Sequence, residues 1–267
     1  MKNNNHFLSV IVPVYKQEKT IQKDLENILQ VLDQIRYDYE IIAVIDGTTI
    51  DHSYQNAKKI KSKNLKVIGY KLNHGKGYAV RFGMAQTKGD YVAFIDAGME
   101  IDPNGISMIL EHMEWYNADI IVGSKRHPAS QVDYPLDRKI ISFGGHLIAR
   151  FLLGINVYDT QAGLKIFRRQ VLIKVLPRLL IKTYAFDLEI LSVSNRLGFN
   201  KIYESPIKLN YGFDSLTHAT GIKVIRQCLT DALAVFYRLR ILHYYDDKNK
   251  RKWIYDPDLE MRINTGL

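Results

Sequence analysis

Short apolar runs alternate with longer segments of mixed polarity along the first half of the chain. The runs are rich in Val, Ile and aromatic residues, which is typical of buried strands, and they lie at residues 7–14, 39–45, 65–70, 91–95 and 119–123. Between them, apolar residues recur at helical spacing, as at Ile21, Leu25 and Ile28, with Thr20 as the expected N-cap. The predicted helices cover residues 21–32, 53–62, 73–87 and 103–115. This alternation predicts an α/β fold with a mostly parallel sheet flanked by helices.

The second half of the chain has a less regular pattern. Its predicted elements are a polar loop at 125–137, a helix at 138–153, a strand at 164–167, a helix at 186–197, a strand at 201–209 interrupted by Pro206, and a basic helix at 221–244 followed by a charged tail from Asp246. The compact pattern gives way near Asp214. We therefore expect one α/β domain over residues 1–214 and an extension over 215–267 that consists of an amphipathic helix and a basic tail.

Three carboxylates, those of Asp96, Glu100 and Asp102, directly follow the fourth apolar run. Ligands of open α/β sheets sit just outside the carboxyl ends of the strands. Carboxylates at such an edge are suited to hold Mg²⁺ or Mn²⁺, and the metal can then hold a diphosphate. The usual acidic pair of this kind is Asp-x-Asp, but Gly98 stands at its third position. The alternative interpretation is structural, with Asp96 capping a turn and Glu100 as a solvated acid at the start of a helix.

The composition is that of a globular protein with a packed core. The 267 residues are 46% hydrophobic and 24% charged. The single cysteine, Cys228, excludes a disulfide framework and a thiolate metal site. The net charge of +9 indicates anionic partners, such as phosphorylated substrates or anionic lipid. Nucleic acid is not expected as a partner, because the chain contains no helix-turn-helix, zinc-finger or RNA-binding signature.

No uncharged apolar stretch reaches the length of a membrane-spanning helix. The two nearest segments, 140–158 and 228–245, carry charged residues and are typical of helices that lie on a membrane surface. The basic segment 248–252, beside Tyr245 and Trp253, fits an anionic membrane surface as well as it fits a solvated tail. The N-terminus lacks the long apolar region of a signal peptide. We expect a cytoplasmic protein that associates peripherally with the cytoplasmic face of a membrane.

Several sequence motifs occur in a defined order along the chain. They are Ser-Val-Ile-Val-Pro-Val-Tyr at 9–15, Glu-Ile-Ile-Ala-Val-Ile-Asp-Gly-Thr-Thr at 40–49, Asn-His-Gly-Lys-Gly at 73–77, Asp96, Gly-Ser-Lys-Arg at 123–126, Asp-Thr-Gln-Ala-Gly-Leu-Lys at 159–165 and Tyr-Ala-Phe-Asp-Leu-Glu at 184–189. Over residues 9–211 the chain resembles the family 2 glycosyltransferases, which have the nucleotide-sugar-binding GT-A fold. It most resembles the branch that makes polyprenyl-phosphate sugars, the dolichyl-phosphate mannose synthases and dolichyl-phosphate glucosyltransferases. Ile45 and Gly98 depart from the family pattern, because each replaces an acid.

The resemblance implies an inverting transfer of a hexose from UDP-glucose or GDP-mannose to a polyprenyl or dolichyl phosphate, with Mg²⁺ or Mn²⁺ as cofactor. The motif at 184–189 favours UDP-glucose. One alternative is a family 2 transferase that acts on a saccharide hydroxyl in surface polysaccharide synthesis. Another is a non-catalytic protein that binds a nucleotide sugar or a lipid phosphate, in which Gly98 has removed the metal chemistry. A membrane-protein partner or a homo-oligomer would be a further way to reach the lipid.

The resemblance also implies roles for individual residues. The donor would be bound by Pro13, Tyr15, Asp46, Lys76, Asp96, Ala97 and Gly98; the metal by Asp96 and Glu100; and catalysis would involve Asp96, Asp187, Arg126 and Arg138. Plainer interpretations stay open for Asp46 in an Asp-Gly turn, Lys76 at a helix entry and Asp187 as a helix-start acid. In an extended segment residues two apart point the same way, so Glu100 is expected to compensate for Gly98.

An acceptor phosphate is already ionised near neutral pH, so it needs cations more than it needs a general base. The cations are required to overcome its repulsion from the donor diphosphate and to fix the line of attack. The candidate phosphate clamps are Arg126, Arg138, Lys165 and Arg168. A transferase that acts on a hydroxyl would instead use an acid as the base, and Asp187 is a better candidate for that role than Glu189.

Overall fold

The computed structural model describes residues 6–131, 150–183, 185–210, 222–249, 252–257, 259 and 261–265. The strands are β1 Phe7–Val14, β2 Asp38–Asp46, β3 Leu65–Tyr70, β4 Tyr91–Ile95, β5 Ile120–Ser124, β6 Leu164–Arg168, β7 Ile202–Pro206, β8 Lys252–Asp256 and β9 Met261–Thr265. Seven of them form one sheet in the order β3-β2-β1-β4-β6-β5-β7, and β8 and β9 form a separate antiparallel hairpin. Within the large sheet only β6 runs antiparallel to its neighbours. The predicted α/β fold with a mostly parallel sheet is confirmed.

The helices connect the strands and cover both faces of the sheet. They are α1 Ile21–Leu32, α2 Ser53–Ala57, α3 Lys76–Ala85, α4 Gly105–Trp115, α5 Arg169–Val175, α6 Phe186–Arg196 and α7 Ile222–Phe236, with a 3₁₀ turn at Leu176–Arg178 and a π-helical turn at Tyr237–Ile241. A short helical turn also covers residues 150–153. Among the described residues, no helix combines the length and the apolar character that crossing a bilayer requires.

Two hydrophobic cores lie on opposite faces of the sheet, because successive side chains of a strand point to opposite sides. In β1, Val10 and Val12 pack into one core with Leu25 of α1 and Ile109 of α4. Ile11 packs into the other core, which also contains buried residues of α3, α6 and α7 and the aromatic pair that follows α7: Val80, Phe186, Val235, Tyr244 and Tyr245. Helices α4 and α7 therefore lie on opposite sides of the sheet.

The antiparallel direction of β6 determines which residues reach the edge where β4 ends. Leu164 pairs with Ile95, and Arg168 pairs with Tyr91 at the other end of β4. The segment before β6 therefore lies beside the residues that follow β4. Arg168 lies at the opposite edge of the sheet.

Several predicted boundaries differ from the structure. The helix predicted at 53–62 ends at Ala57, because Lys58, Lys59 and Lys61 extend no apolar face that could pack. Thr20 precedes α1, but its hydroxyl bonds the side chains of Gln17 and Asp24 rather than capping the helix.

The C-terminal part of the chain also differs from its prediction. Part of the predicted charged tail forms the β8–β9 hairpin, in which the strand-favouring run Trp253-Ile254-Tyr255 outweighs the flanking charges. The domain boundary near Asp214, Arg138, and most of the predicted loop and helix between 132 and 149 lie outside the described residues.

Candidate functional site

The carboxyl ends of the parallel strands and the start of β6 meet at one edge of the sheet. Asp46 ends β2, Asp96 follows β4, Ser124 ends β5, and Gly163 precedes β6. The Asp96 amide donates to the Gly163 carbonyl at 2.9 Å, which joins the β4 end to the β6 loop. This is the edge at which open α/β sheets bind ligands, and it is where the sequence predicted the site.

The Asp96 carboxylate has one oxygen in an ion pair and one buried oxygen without a hydrogen-bond partner among the described residues. Lys76 Nζ lies 2.8 Å from Oδ2, whereas Oδ1 is the unpartnered atom. Gly163 packs so closely that a Cβ at that position would lie 2.3 Å from Oδ2. A carboxylate held in such a cradle, with a lone oxygen unpartnered, is suited to a cation or to a ligand donor group.

Four charged side chains form a chain of alternating sign that leads inward from Asp96. Lys76 Nζ is 3.8 Å from Asp187 Oδ2, and Lys165 Nζ is 2.6 Å from Asp187 Oδ1 and 2.6 Å from the Ala162 carbonyl. Lys165 is 0% exposed and Asp187 2% exposed. Burial lowers the pKa of Lys165, and the Asp187 charge opposes that shift. Such buried charges are tolerated because each has a partner of opposite sign.

This arrangement corrects one predicted clamp and locates one predicted catalytic acid. Lys165 is directed into the core and its ammonium is committed to Asp187 and Ala162, so it is not placed to clamp a phosphate. Asp187 contacts Lys76, which in turn pairs with Asp96. The Asp187 carboxylate is itself buried and pairs with two lysines. A general base must reach the proton that it removes, and the geometry of Asp187 favours a role in holding Lys76.

Arg168 is a second corrected clamp. Its guanidinium donates to the Ala118 carbonyl at 2.6 Å and to Asn117 Oδ1 at 2.8 Å. Because β6 runs antiparallel, these contacts lie at the edge of the sheet opposite Asp96. Arg126 follows β5 at the carboxyl edge, and its amide donates to Ser124 Oγ at 3.2 Å. Its role as a clamp stays a prediction.

Glu189 of α6, which the sequence analysis ranked below Asp187 as a candidate base, is held by hydrogen bonds inside the protein. It is fully buried, and its carboxylate accepts from the Leu180 and Ile181 amides at 2.9 and 2.8 Å and from the Tyr245 hydroxyl at 2.7 Å. Burial raises the pKa of Glu189, and these hydrogen bonds oppose that shift. Glu189 therefore ties the segment before α6 to the residues that follow α7.

Asp46 holds the turn that presents Lys76. Its carboxylate accepts from the His74 amide at 2.7 Å, from the Gly75 amide at 2.9 Å and from Asn73 Nδ2 at 2.8 Å. Gly75 has a φ of 97°, and a Cβ there would lie 2.6 Å from the Lys182 carbonyl, so the turn requires glycine. Asp46 thus acts on the site through the turn, and its predicted contact with a nucleotide stays a prediction.

The segment after Asp96 is a turn, not the extended segment on which the argument for Glu100 rested. Gly98 and Met99 have φ values of 96° and 56°, so the rule that residues two apart share a side does not apply here. The backbone carbonyl of Glu100 accepts a hydrogen bond from the Asn210 amide at 2.8 Å. The expected geometry is wrong, and Glu100 as a metal ligand stays a prediction.

Asp24 of α1 is a residue of this region that the sequence analysis missed. Its Oδ2 accepts from the Gly98 amide and from the Thr20 hydroxyl, both at 3.0 Å. The side chain is 3% exposed, and burial raises its pKa. A signal was present, because Asp24 interrupts the apolar face formed by Ile21, Leu25 and Ile28. An acid on the buried face of a helix needs a partner, and here the partner is the turn that follows Asp96.

The remaining predicted donor ligands lie around the same edge. Pro13 and Tyr15 lie at the carboxyl end of β1 and just beyond it, where Pro13 is half-buried and Tyr15 is exposed. Ala97 packs against the core that contains α1 and α4. Among the described residues, no group of three or more His, Cys, Asp or Glu side chains is gathered tightly enough to hold a metal. A metal at Asp96 would therefore need additional oxygen ligands from its substrate and from water.

Solved structures share the fold. Glucosyl-3-phosphoglycerate synthase from Mycobacterium tuberculosis, in complex with Mn²⁺, UDP and phosphoglyceric acid, superposes with a TM-score of 0.62 at 18% identity, covering 98% of this chain and 87% of that one. The same enzyme in complex with Mg²⁺ and UDP also gives a TM-score of 0.62. These neighbours are GT-A glycosyltransferases, so the chain has the GT-A fold.

Curated relatives point to one branch of these enzymes. The dolichyl-phosphate β-glucosyltransferase of Dictyostelium discoideum is 31% identical over 212 residues, which are 73% of this chain and 64% of that protein. The Drosophila melanogaster and Homo sapiens proteins of the same name are 30% and 29% identical, with 71% and 82% of this chain matched and 63% and 69% of theirs. The match thus spans somewhat under two thirds of the first two relatives.

The profile of glycosyl transferase family 2 matches residues 9–176. These residues run from the first strand through the Asp96 edge and into the helix after β6. The sequence resemblance, the fold and this match agree, and the chain belongs to glycosyl transferase family 2.

Proposed function

We propose that the protein transfers glucose from UDP-glucose to a polyprenyl or dolichyl phosphate with inversion at the anomeric carbon. The observation that carries the proposal is Asp96, which presents an unpartnered oxygen beside Lys76 at the carboxyl edge of the sheet. The names of the relatives support glucose and a dolichyl phosphate acceptor. The UDP bound by the structural neighbours supports UDP-glucose over GDP-mannose.

The residues around Asp96 fit a divalent cation. Mg²⁺ binds through one or two carboxylates, substrate phosphates and several waters, which matches one unpartnered carboxylate oxygen and no pre-gathered acidic cluster among the described residues. Asp96 would hold the cation, with Glu100 as the second protein ligand. When bound, Mg²⁺ or Mn²⁺ would neutralise the charge that develops on the departing nucleoside diphosphate.

The protein's own cations would organise the reacting groups. Lys76 lies between Asp96 and Asp187, which fixes its ammonium beside the position proposed for the diphosphate. Arg126, at the end of β5, would bring positive charge to the acceptor phosphate. An acceptor phosphate oxygen would attack the anomeric carbon, and the bond from that carbon to the diphosphate oxygen would break, with its electron pair leaving on the departing UDP.

The buried and paired state of Asp187 supports a phosphate acceptor over a sugar hydroxyl. A hydroxyl acceptor must lose a proton to a base that it can reach, but Asp187 is buried and paired with Lys165 and Lys76. A phosphate acceptor has a second pKa of about 6 and carries its charge at neutral pH without such help. This difference supports the lipid phosphate over the saccharide alternative.

The test is a transfer assay with labelled UDP-glucose or GDP-mannose, a polyprenyl phosphate and Mg²⁺ or Mn²⁺. Lipid-linked glucose that disappears with a chelator is the expected result. Label on an added oligosaccharide instead would support a saccharide acceptor. Binding of the nucleotide sugar without turnover on any acceptor would support the non-catalytic alternative. We also propose that the reaction takes place at a membrane surface, since a long polyprenyl chain stays in the bilayer, and that this surface is the cytoplasmic face.

A further inference from the structure

An apolar stripe runs along the exposed side of α7 and the π-helical turn that follows it. Leu229, Leu233, Tyr237 and Ile241 are spaced four residues apart and are 43%, 48%, 51% and 58% exposed. Residues four apart lie on the same side of a helix. We call these four residues, with the exposed Arg226 and Arg240 beside them, the α7 face. Apolar side chains gathered in this way on a surface mark an interaction site.

The orientation of the helix is fixed by its other side. Ala232, Val235 and Leu239 are buried in the same core as Phe94 and Phe186. Because the core side of the helix is already filled, a small rotation of the helix would not bring the exposed leucines into the core. They form a second apolar surface, on the side of the helix that faces away from the core.

The charges around the stripe are positive. Arg226 and Arg240 are exposed on the same side. Between residues 226 and 241 the only carboxylate is that of Asp231, which is half-buried and accepts hydrogen bonds from Thr183 Oγ1 at 2.8 Å and from Gln227 Nε2 at 2.9 Å. Apolar residues flanked by arginines, with an aromatic ring at Tyr237, form the pattern of a helix that lies in the interface of an anionic bilayer.

A neighbouring turn extends this surface. Phe151 is 77% exposed, and Arg150 beside it is also exposed. The turn ends at Gly154, where a Cβ would lie 3.2 Å from Arg240 Nη2. Another exposed aromatic residue and another arginine thus lie next to the end of the α7 face. A second copy of the chain is a poorer occupant, since it would bring like charges to the same stripe.

Helix α7 is connected to the candidate site by a short series of hydrogen bonds. Asp231 of α7 accepts from Thr183, the preceding Lys182 carbonyl accepts from the Tyr78 amide at 3.2 Å, and Tyr78 lies in the first turn of α3 with Lys76. A short path of contacts therefore joins α7 to the ammonium beside Asp96. The helix that carries the α7 face is thus linked through contacts to the edge at which an acceptor must arrive.

We propose that the α7 face docks the protein on an anionic lipid surface. The role of this docking in catalysis rests on the proposed function, in which a polyprenyl phosphate would reach Asp96 from the lipid surface. The docking itself can be measured without any sugar transfer.

The test is flotation of the full chain with phosphatidylcholine vesicles, with and without phosphatidylglycerol. Leu229→Ser/Leu233→Ser is expected to lower binding to the anionic vesicles about tenfold, since it removes exposed apolar area. The matched control is Met108→Ser/Trp115→Ser, which removes exposed apolar residues of α4 on the opposite side of the sheet and should bind like the wild type. Near-identical thermal melting of both variants would exclude unfolding as the cause.

The charge is tested separately. Arg226→Gln/Arg240→Gln should weaken binding to anionic vesicles by about fivefold for each arginine and leave the weak binding to neutral vesicles unchanged. Lys61→Gln/Lys63→Gln, which changes two exposed lysines on another surface, is the matched control. A loss as large in this control would overturn the assignment to the α7 face.

The outcomes separate this inference from the proposed function. Vesicle binding that depends on the α7 face, without transfer to any lipid phosphate, would refute the function and keep the docking. Lipid-linked glucose together with equal flotation of wild type and Leu229→Ser/Leu233→Ser would refute the docking and keep the function. A dimer in sedimentation experiments that the leucine variant dissociates would also overturn the docking, since the stripe would then bind a second copy.

Discussion

Two acidic regions flank Lys76, and they differ in what their carboxylates are committed to. At the end of β4, Asp96 pairs with Lys76 through one oxygen and leaves the other without a partner. On α6, Asp187 and Glu189 are buried, and both are bound to partners within the protein. Carboxylates of the same chemistry therefore have different roles. An acid with an unpartnered oxygen at a sheet edge is available to a ligand, whereas an acid with filled contacts holds the fold in place.

The sharpest test of this difference is Asp96→Asn. The amide keeps the size of the side chain but loses the charge that would bind a cation, so we predict a fall in kcat/KM of about a thousandfold. The melting temperature should change little, because Asp96 is partly exposed. Asp102→Asn is the matched control, since the Asp102 carboxylate accepts from the Asn104 amide at the start of α4. This variant should keep a kcat/KM near that of the wild type.

Asp187→Asn should show the opposite balance, with a large loss of stability. It leaves the ammonium of Lys165 buried without a counter-charge, which costs about 3 kcal/mol of unfolding free energy. Urea unfolding measures this loss. Lys165→Met/Asp187→Leu removes both charges and is expected to be more stable than Asp187→Asn. A double variant that is less stable than the single variant would contradict the view that pairing is what makes these charges tolerable.

Asp24→Ala tests whether the turn after Asp96 is held from α1. The Gly98 amide would lose its acceptor, and we predict a loss of about 1 kcal/mol of stability together with a higher KM for the nucleotide sugar. Asp24→Asn keeps an acceptor oxygen and should restore the KM. Glu26→Ala, at an exposed position of the same helix, is the control. An unchanged KM in Asp24→Ala would separate Asp24 from the site.

The smallest predicted effect concerns pH. The pKa of Glu189 is raised by burial above its ordinary value of 4.5, so the unfolded chain releases this proton at a lower pH than the folded protein does. The contribution of Glu189 to stability is therefore complete below about pH 4.5 and is lost as the pH rises through the folded-state pKa. Glu189→Gln should remove this part of the slope in urea unfolding at several pH values. Parallel slopes for the two proteins would count against the assignment.

The sequence predicted the first half of the molecule because its elements are local. Strands β1 to β5 are apolar runs, and the position of Asp96 after a buried strand indicated where its carboxylate lies. Lys165, Arg168 and Asp24 could not be placed in this way. The roles of the first two depend on the antiparallel direction of β6, and the role of Asp24 depends on a contact with Gly98, 74 residues away.

The hairpin in the C-terminal part could not be predicted from the charge of that segment alone. The charges after Asp246 predicted a tail, but the run at 253–255 pairs with residues 262–264 in a hairpin. Glu100 shows the same limit on a smaller scale. Its proposed compensation for Gly98 assumed an extended backbone, but Gly98 and Met99 have positive φ values and form a turn. Backbone conformation at such a turn cannot be inferred from the spacing of acids.

The most direct test of the central claim is the formation of lipid-linked glucose by wild type and Asp96→Asn. Both proteins would be incubated with labelled UDP-glucose, polyprenyl phosphate vesicles and Mn²⁺, and the organic-phase label would be measured over time. We predict label in the organic phase with the wild type, its loss with a chelator, and near-background label with Asp96→Asn. Equal label from both proteins would contradict the account, because the unpartnered oxygen of Asp96 would then have no part in the reaction.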